Sequence, residues 1–550
     1  MCSFKGKRYL CGSGRAWAAR QRPVRLVAGR PNSVECRYPP GANEVVVAHA
    51  PAYFVVISNR RPYPWNSGCS GNCPLAQTPS NVVRGCRVPV VYRTEVRFFV
   101  RTEFPVSKLP GSIAIRNGRV VDAASGFDGA ADLLLENGRI AAIGEISAGS
   151  GDSEIDASGL IVTPGLIDMH VHLRQPGFDN KETIATGTAA AAAGGFTTIC
   201  CMPNTRPTLD SRQSLELLYE KISAEAIVNV LPIAAISIGR LGVKAVDYAE
   251  VVESGAIGFS DDGDSCDDPG IMIDALEASK TLERPVMVHC EDKSLMGGSM
   301  HEGEVSERLG LKGLPALAEE KLLARDIELA AKTGGWLYAL HVSTGAGIEM
   351  IRQAKASGVH VTAEAMPHHL LMTDEWVAGD RRFVNVDEPA GAPAEPAHPN
   401  TKVNPPLRPR LDTELLLAAI ADATFDIVAT DHAPHADTDK ALGDFQTAAF
   451  GLSGLEFGLP MMLALIRAGR LDYLDLVRLM SYNPALVLRS DRGRLAVGAP
   501  ADLTIFDPDE QWIVEAEKLR TRSANTPLLG MTLKGRNRFS IVDGELRFAA

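Results

Sequence analysis

A hydrophobic run from Leu160 to Ile167 ends in Asp168-Met169-His170-Val171-His172-Leu173-Arg174. Side chains alternate along a strand, so His170 and His172 share a face, and the same alternation puts Arg174 beside them. Neutral imidazoles set side by side suit zinc and similar cations. A lone His-x-His in a long chain is a weak signal. It gains weight from a second segment, Ala429-Thr430-Asp431-His432-Ala433-Pro434-His435, which also follows an apolar, strand-like run. Together the two segments point to a metal-dependent hydrolase.

Between and around them, apolar runs alternate with helical stretches, the pattern of a parallel sheet built from βα units. Eight runs are legible: Leu166 to His172, Phe196 to Asn204, Val228 to Ile236, Ala256 to Asp262, Pro285 to His289, Trp336 to His341, His360 to Ala365 and Asp426 to Asp431. Eight in series predict a (β/α)8 TIM-type barrel, whose chemistry sits at the C-terminal strand ends. Most of these runs end in a residue able to ligate a metal or bind a substrate, and a scatter of structural polar residues would not keep landing there. The alanine-rich stretch from Thr188 to Gly195 reads as a barrel helix ended by Gly-Gly. Residues 387–400, rich in Pro, Ala and Glu, read as a flexible surface insertion between strands seven and eight.

Asn-Gly pairs at Asn117-Gly118 and Asn137-Gly138 signal hairpins before the barrel, and a matching strand-rich piece closes the chain. The predicted organisation is a small flanking β domain from residues 110–165 plus 485–550, around a barrel at 166–484.

The chain of 550 residues has a net charge of -11, which argues against a general nucleic-acid binder. No apolar run reaches the roughly 18 to 20 residues that span a bilayer. Charge is unevenly spread: residues 1–109 hold 17 Lys+Arg against 4 Asp+Glu, a local +13, leaving -24 for the remainder. Six of the ten cysteines fall there too (Cys2, Cys11, Cys36, Cys69, Cys73 and Cys86), and Cys69-x3-Cys73 lacks the second pair a zinc site needs. The other four, Cys200, Cys201, Cys266 and Cys290, show no disulfide framework and suit a reducing cytoplasm. An Arg-rich, acid-poor leader of this kind fits an organelle transit peptide, a disordered arm or an upstream extension of the reading frame. The last is the favoured expectation. No methionine occurs between Met1 and Met169, so a shorter start would use a Val or Leu codon, with Val106 and Leu109 well placed.

A hydrolytic metal centre needs ligands that fix one or two cations and leave room for water. The candidates are His170 and His172 on strand one, Asp262 on four, His289 on five, His341 on six and Asp431 on eight. Asp262 is preferred to its neighbour Asp261. Imidazoles gathered with buried carboxylates are hard to accommodate without cations, because unpaired buried charge is costly. Asp431 can hold metal with one oxygen and move a proton with the other. Arg174, Asn204, Asn404 and His435 would then face a substrate, and a guanidinium beside amide and imidazole donors suits a carboxylate-bearing ligand. Taken singly, Asn204 reads equally as a turn residue before Thr205, and Asn404 as one before Pro405-Pro406.

These residues lie in motifs that resemble the larger class of bacterial dihydroorotases, in the amidohydrolase superfamily. They are Asp-Met-His-Val-His-Leu-Arg-Gln-Pro-Gly at 168–177, Lys-Glu-Thr-Ile-Ala-Thr-Gly at 181–187, Ala-Gly-Gly-Phe-Thr-Thr at 193–198 and Cys-Met-Pro-Asn-Thr at 201–205. Lys-Val-Asn-Pro-Pro-Leu-Arg at 402–408, Thr-Asp-His-Ala-Pro-His at 430–435 and Phe-Gly-Leu-Ser-Gly-Leu-Glu at 450–456 continue the likeness. The resemblance covers about residues 110–550.

It implies the reversible cyclisation of N-carbamoyl-L-aspartate to (S)-dihydroorotate, a step of pyrimidine (UMP) synthesis in the cytoplasm. It implies one or two zinc ions: one on His170, His172 and Asp431, with Asp262 bridging to a second on His289 and His341. The substrate carboxylate would meet Arg174, Asn204 and His435, with Asn404 and the Phe450-Gly451 backbone on the ring. A homodimer, and a complex with aspartate transcarbamoylase, are the partner expectations. Gln175 departs from the family, where an acidic residue is common, and stands outside the inferred metal shell. Two alternatives stand beside this reading. One is a hydantoinase- or allantoinase-type cyclic amide hydrolase, whose members usually bridge their metals with a carboxylated lysine on strand four, where this chain has none. The other is an inactive scaffold for aspartate transcarbamoylase, and such paralogues tend to lose ligands that are all present here.

A chain beginning near Val106 is expected to keep full stability and turnover, since every site residue lies beyond it. Thermal unfolding and steady-state assays of the truncated and full chains check this, and loss of activity on truncation would show a working leader.

Overall fold

The computed structural model describes residues 111–550 apart from Ala390 and 441–443, and within residues 1–110 only the backbone of four two-residue strands. The expectations for the leader lie outside the described residues.

Strands from both ends of the described region interleave in one eight-stranded sheet. Ile161–Pro164 runs parallel to Ile113–Asp122 and antiparallel to Leu503–Ile513, so the chain's last strands complete a sheet begun at Ile113–Asp122. Its buried face gathers Ile113, Ile115, Val120, Leu133, Leu135, Val162, Leu503, Ile505 and Ile541. Asn137-Gly138 and Asp543-Gly544 form tight turns with positive φ at both residues, the geometry that matches strand twist.

Asn117-Gly118 does not form a hairpin. It lies inside the single strand Ile113–Asp122, where the pairing with Phe127–Glu136 shifts register. Asn117 takes φ 62°, its N–H donates to Asp132 and its amide to Asp156, both at 3.0 Å. An Asn in the left-handed region with side-chain partners on two neighbouring strands makes a bulge rather than a reversal.

The central region is a parallel barrel. Leu166–Val171, Phe196–Cys201 and Asn229–Pro232 form one ladder, and Val286–Val288, Leu337–Ala339, Val361–Ala365 and Ile427–Val428 form another. The expected fourth strand is reduced to single bridges through Phe259, to Ala234 on one side and Val286 on the other. A further bridge, Val171 to His432, closes strand eight onto strand one. Asp168 reinforces this seam, accepting from the Thr430 hydroxyl at 2.6 Å. Ile167, Met169, Cys200, Ile233, Met287, Tyr338 and Ile427 pack together, as the interior of such a barrel requires.

The first helix, Ile184–Gly194, starts at Thr183, whose side chain accepts from Thr186 N–H, and stops at Gly195 with φ 92°. That is the glycine stop read from the sequence. Gln175 accepts from the N–H of Ile184 at 2.8 Å, so it serves the helix start. The 387–400 segment is anchored: Gly391, Ala394 and Ala397 donate backbone hydrogen bonds to Arg381, Gly379 and Val377. Arg467 pairs with Glu388 at 2.7 Å. The expectation of a loose insertion is corrected by these bonds, which composition alone does not reveal.

Gly194 has no room for a side chain, since a Cβ there would stand 2.1 Å from the Leu455 carbonyl oxygen. Gly194→Ala is expected to cost about 1–3 kcal/mol, read as a lower urea midpoint at unchanged slope.

Candidate metal centre

The first barrel strand delivers its histidines through an irregularity. Ile167 and Met169 face the interior cluster, while Val171 joins the outer core. The pairing with strand two shifts between Asp168 and Val171, so parity changes and His170 and His172 turn to the mouth. Arg174 is no longer on the strand. It reaches the same mouth by a left-handed backbone at φ 60°. Simple alternation gave the right neighbourhood for Arg174 by the wrong route.

Asp262 lies at the centre. Its Oδ2 stands 3.6 Å from His170 Nε2 and 3.3 Å from His172 Nε2, while Oδ1 stands 3.4 Å from His289 Nδ1 and 3.5 Å from His341 Nε2. Asp431 Oδ1 lies 3.5 and 3.1 Å from the same two nitrogens of His170 and His172. Ligands about 2.0–2.1 Å from a tetrahedral cation stand about 3.4 Å apart, so these separations match those between ligands that share a cation. The donor atoms of His170, His172 and Asp431 all lie within 4.8 Å of one another, as do those of His170, Asp262 and His341. His289 joins neither trio. Its Nε2 faces Glu291 at 3.1 Å, although its Nδ1 touches His341 Nε2 at 2.9 Å.

The chemistry of the cluster fits a cation. His170 Nε2 and Asp262 Oδ1 are buried and have no hydrogen-bond partner. Leaving such groups unpaired is costly, and a divalent cation would satisfy both. Burial presses His170 downward, yet Asp262, Asp431 and Glu364 outweigh it and hold the imidazole well above its usual range. Burial likewise opposes protonation of His289, but Asp262 and Glu291 raise it to about 10. Asp431 and Asp262 are held below the carboxylate range by His170 and its neighbours, against their burial. The cluster therefore attracts positive charge, whether proton or metal. His172 alone is lowered, by burial and then by Arg174.

Behind these groups stand residues that the motifs did not single out. Glu364, fully buried, accepts from His170 Nδ1 at 2.7 Å, from the Tyr338 hydroxyl at 2.8 Å and from the His341 N–H at 3.2 Å. Fixing one ring nitrogen of a ligating imidazole leaves the other as the donor to metal. A carboxylate inside the apolar run Val361-Thr-Ala-Glu-Ala365 was the available signal, since buried charge requires a partner. Glu291 joins His289 to Asn404, accepting from the Asn404 amide at 2.9 Å. Asp261 stays out of the cluster and accepts from Ile236 N–H and Ser237 N–H at 2.9 and 3.1 Å. It ties down the loop carrying Arg240, whose guanidinium pairs with Asp264 at 2.6 Å.

The residues expected to meet a substrate ring the same mouth. Asn204 Oδ1 lies 3.0 Å from His172 Nδ1. An Arg174 guanidinium nitrogen lies 3.3 Å from His435 Nε2. Gly451, with φ 126°, comes so near that a Cβ would stand 3.3 Å from the His435 ring. The Phe450 ring is turned to Lys402, whose ammonium lies 4.1 Å from its centre.

Glu364→Gln is expected to weaken divalent-metal retention about 10–100-fold while preserving the fold. Competition with a chromogenic chelator measures the first, and circular dichroism the second.

Comparison with known proteins agrees with this architecture. A dihydro-orotase-like family model matches residues 159–346. A dihydroorotase of Geobacter sp. (strain M21) is 44% identical over 441 residues, covering 80% of this chain and 100% of that protein. One from Syntrophus aciditrophicus (strain SB) is 44% identical over 438 residues, covering 79% and 98%. Among solved structures, the L-hydantoinase (dihydropyrimidinase) from Arthrobacter aurescens superposes with a TM-score of 0.68 at 26% identity, over 79% of this chain and 96% of that one. A barrel whose strand ends gather imidazoles and carboxylates, spanned along its length by such relatives, belongs to the dihydroorotase family of metal-dependent cyclic amidohydrolases.

Proposed function

We infer that the protein is a dihydroorotase that interconverts N-carbamoyl-L-aspartate and (S)-dihydroorotate in pyrimidine synthesis. The observation that carries this reading is the Asp262 carboxylate set between two pairs of imidazoles, in a chain 44% identical to dihydroorotases along their length. The ion is zinc. His170, His172 and Asp431 would hold one ion, and Asp262, His289 and His341 would hold a second, a set whose nitrogen and oxygen donors suit that metal. Bound there, a divalent cation supplies Lewis acidity toward a carbonyl oxygen and acidifies water.

The chain's own residues do the rest. The retained carboxylate lies against Arg174, Asn204 and His435, while Asn404 and the backbone of Phe450 and Gly451 contact the ring atoms. In cyclisation, the carbamoyl nitrogen attacks the side-chain carboxyl carbon, a C–N bond forms and water departs. Asp431 takes the proton that leaves the nitrogen, and in ring opening returns it. Arg174 is suited to its part because burial, which lowers its guanidinium to about 10, still leaves it charged at neutral pH.

The working unit is a barrel at 166–484 flanked by a β domain from 110–165 and 485–550. It acts as a cytoplasmic homodimer and is able to associate with aspartate transcarbamoylase. No helix among the described residues is long and apolar enough to cross a membrane.

Purified protein assayed with dihydroorotate, hydantoin and allantoin, together with metal analysis, tests the reading. Turnover of dihydroorotate that is lost to a chelator and restored by zinc is expected. Preference for hydantoin or allantoin would move the protein to the neighbouring cyclic amidohydrolases, and zinc-loaded protein with no turnover would make it a scaffold. Asp431→Asn is expected to lower kcat about 10²–10⁴-fold with the fold intact. Arg174→Ala is expected to raise KM for dihydroorotate about 10–100-fold, the loss of hydrogen bonds between charged groups. Steady-state kinetics of the two variants measure both effects.

A further inference from the structure

His435 is enclosed by two cations. Its Nε2 lies 3.3 Å from an Arg174 guanidinium nitrogen, and its Nδ1 lies 3.3 Å from Lys181 Nζ. Both neighbours are donors only, whereas a neutral imidazole offers one donor and one acceptor. The ring is neutral: burial, then the charges of Arg174 and Lys181, push it down to about 2. One of the two contacts is therefore a proper hydrogen bond, and the other sets donor against donor.

The surroundings decide which. Lys181 is fixed at both ends: its carbonyl accepts from Ser523 Oγ at 2.5 Å and its ammonium pairs with Asp439 at 3.2 Å. Asp439 itself lies 3.8 Å from His435 Nδ1, too far to accept a proton from that nitrogen. A proton on Nδ1 would point at an ammonium and find no acceptor, whereas a proton on Nε2, beside the Arg174 guanidinium, can be met by a carboxylate that enters the mouth. The backbone N–H of His435 donates to Asn525 at 3.1 Å, and Gly451 closes against the ring edge, so the imidazole is held in this orientation.

We propose that Lys181 is a positioning residue that holds His435 as the Nε2-protonated tautomer, so that His435 Nε2–H and the Arg174 guanidinium form a two-donor receptor for the substrate carboxylate. Both groups then point donors into one space, and an acceptor-only carboxylate oxygen placed between them satisfies both. Without Lys181 the ring would take its proton on Nδ1 and accept from Arg174 instead, closing the receptor on itself. The proposal rests on the dihydroorotase reading only for the identity of the carboxylate.

Holoenzyme labelled with 15N-histidine tests it by the long-range ring couplings, which tell which nitrogen carries the proton. The His435 signals are assigned by their loss in His435→Gln. Wild-type protein is expected to show the proton on Nε2, Lys181→Met to move it wholly or partly to Nδ1, and Lys181→Arg to keep it on Nε2. In steady-state assays with dihydroorotate, Lys181→Met should raise KM about tenfold with kcat little changed, and Lys181→Arg should restore KM. A wild-type proton on Nδ1 overturns the proposal without any variant. So does a Lys181→Met protein whose tautomer and KM match the wild type. If the wild-type enzyme does not turn over dihydroorotate, the functional reading fails while the spectra still decide the tautomer.

Discussion

The barrel mouth depends on the Asp262 carboxylate, which presents one oxygen to His170 and His172 and the other to His289 and His341. A buried carboxylate costs several kcal/mol unless compensated. Here the compensation comes from groups contributed by three other strands, so the carboxylate is also what makes those strand ends one site. Strand four gives up regular pairing to deliver it. Only Phe259 bridges its neighbours, and the chain then leaves through Asp261, Asp262 and Gly263. Adjacent aspartates point apart: Asp261 anchors the preceding loop by its backbone amides, and Asp262 turns to the imidazoles.

Three side chains at this mouth sit on left-handed backbone without being glycine: Arg174 at φ 60°, His341 at 33° and Asp431 at 46°. Such a conformation costs roughly 1–2 kcal/mol per residue and persists where the surroundings over-determine it. For His341 the following turn is held by Glu319, which accepts from the N–H groups of Ser343 and Thr344 at 3.1 and 3.0 Å. For Asp431 the chain is gripped on either side, by the Thr430 hydroxyl donating to Asp168 and by the His432 ring Nδ1 accepting from the Gly454 N–H. Arg174 is held by its own donation to the Pro434 carbonyl at 3.2 Å. At His341 and Asp431 the strain falls on a residue of the cluster itself, because a strand that must end abruptly there needs a sharp turn.

Much of this was legible in the sequence where a residue type carries its own physics. His170, His172, Asp262, His341 and Asp431 stand together because each closes an apolar run, and Asn137-Gly138 turns because Asn and Gly tolerate positive φ. Asn117-Gly118 shows the limit. The same dipeptide became a bulge because Asp132 and Asp156, distant in sequence, supplied acceptors. Glu364 and Glu291 were missed for the converse reason: neither closes a run, and their roles appear only once His170, His289 and Asn404 are placed beside them. The anchoring of residues 387–400 was equally hidden, since its partners at 377–381 are backbone carbonyls.

The two carboxylates of the cluster differ in a way that suits two tasks. Asp262 is 2% exposed and has an imidazole pair on each oxygen, so both its oxygens are committed to the ligand cluster. Asp431 is 7% exposed and makes its closest approaches to His170 and His172 through Oδ1. That leaves its second oxygen for exchange with something in the mouth, beside Arg174 and the loop that carries His435. A carboxylate that binds with both oxygens is a poor base, because protonation would break its contacts. One that binds with a single oxygen can take and return a proton while keeping its place. The asymmetry accompanies a difference in where each strand ends: strand four is reduced to the bridges through Phe259, whereas strand eight runs to the closing bridge with strand one.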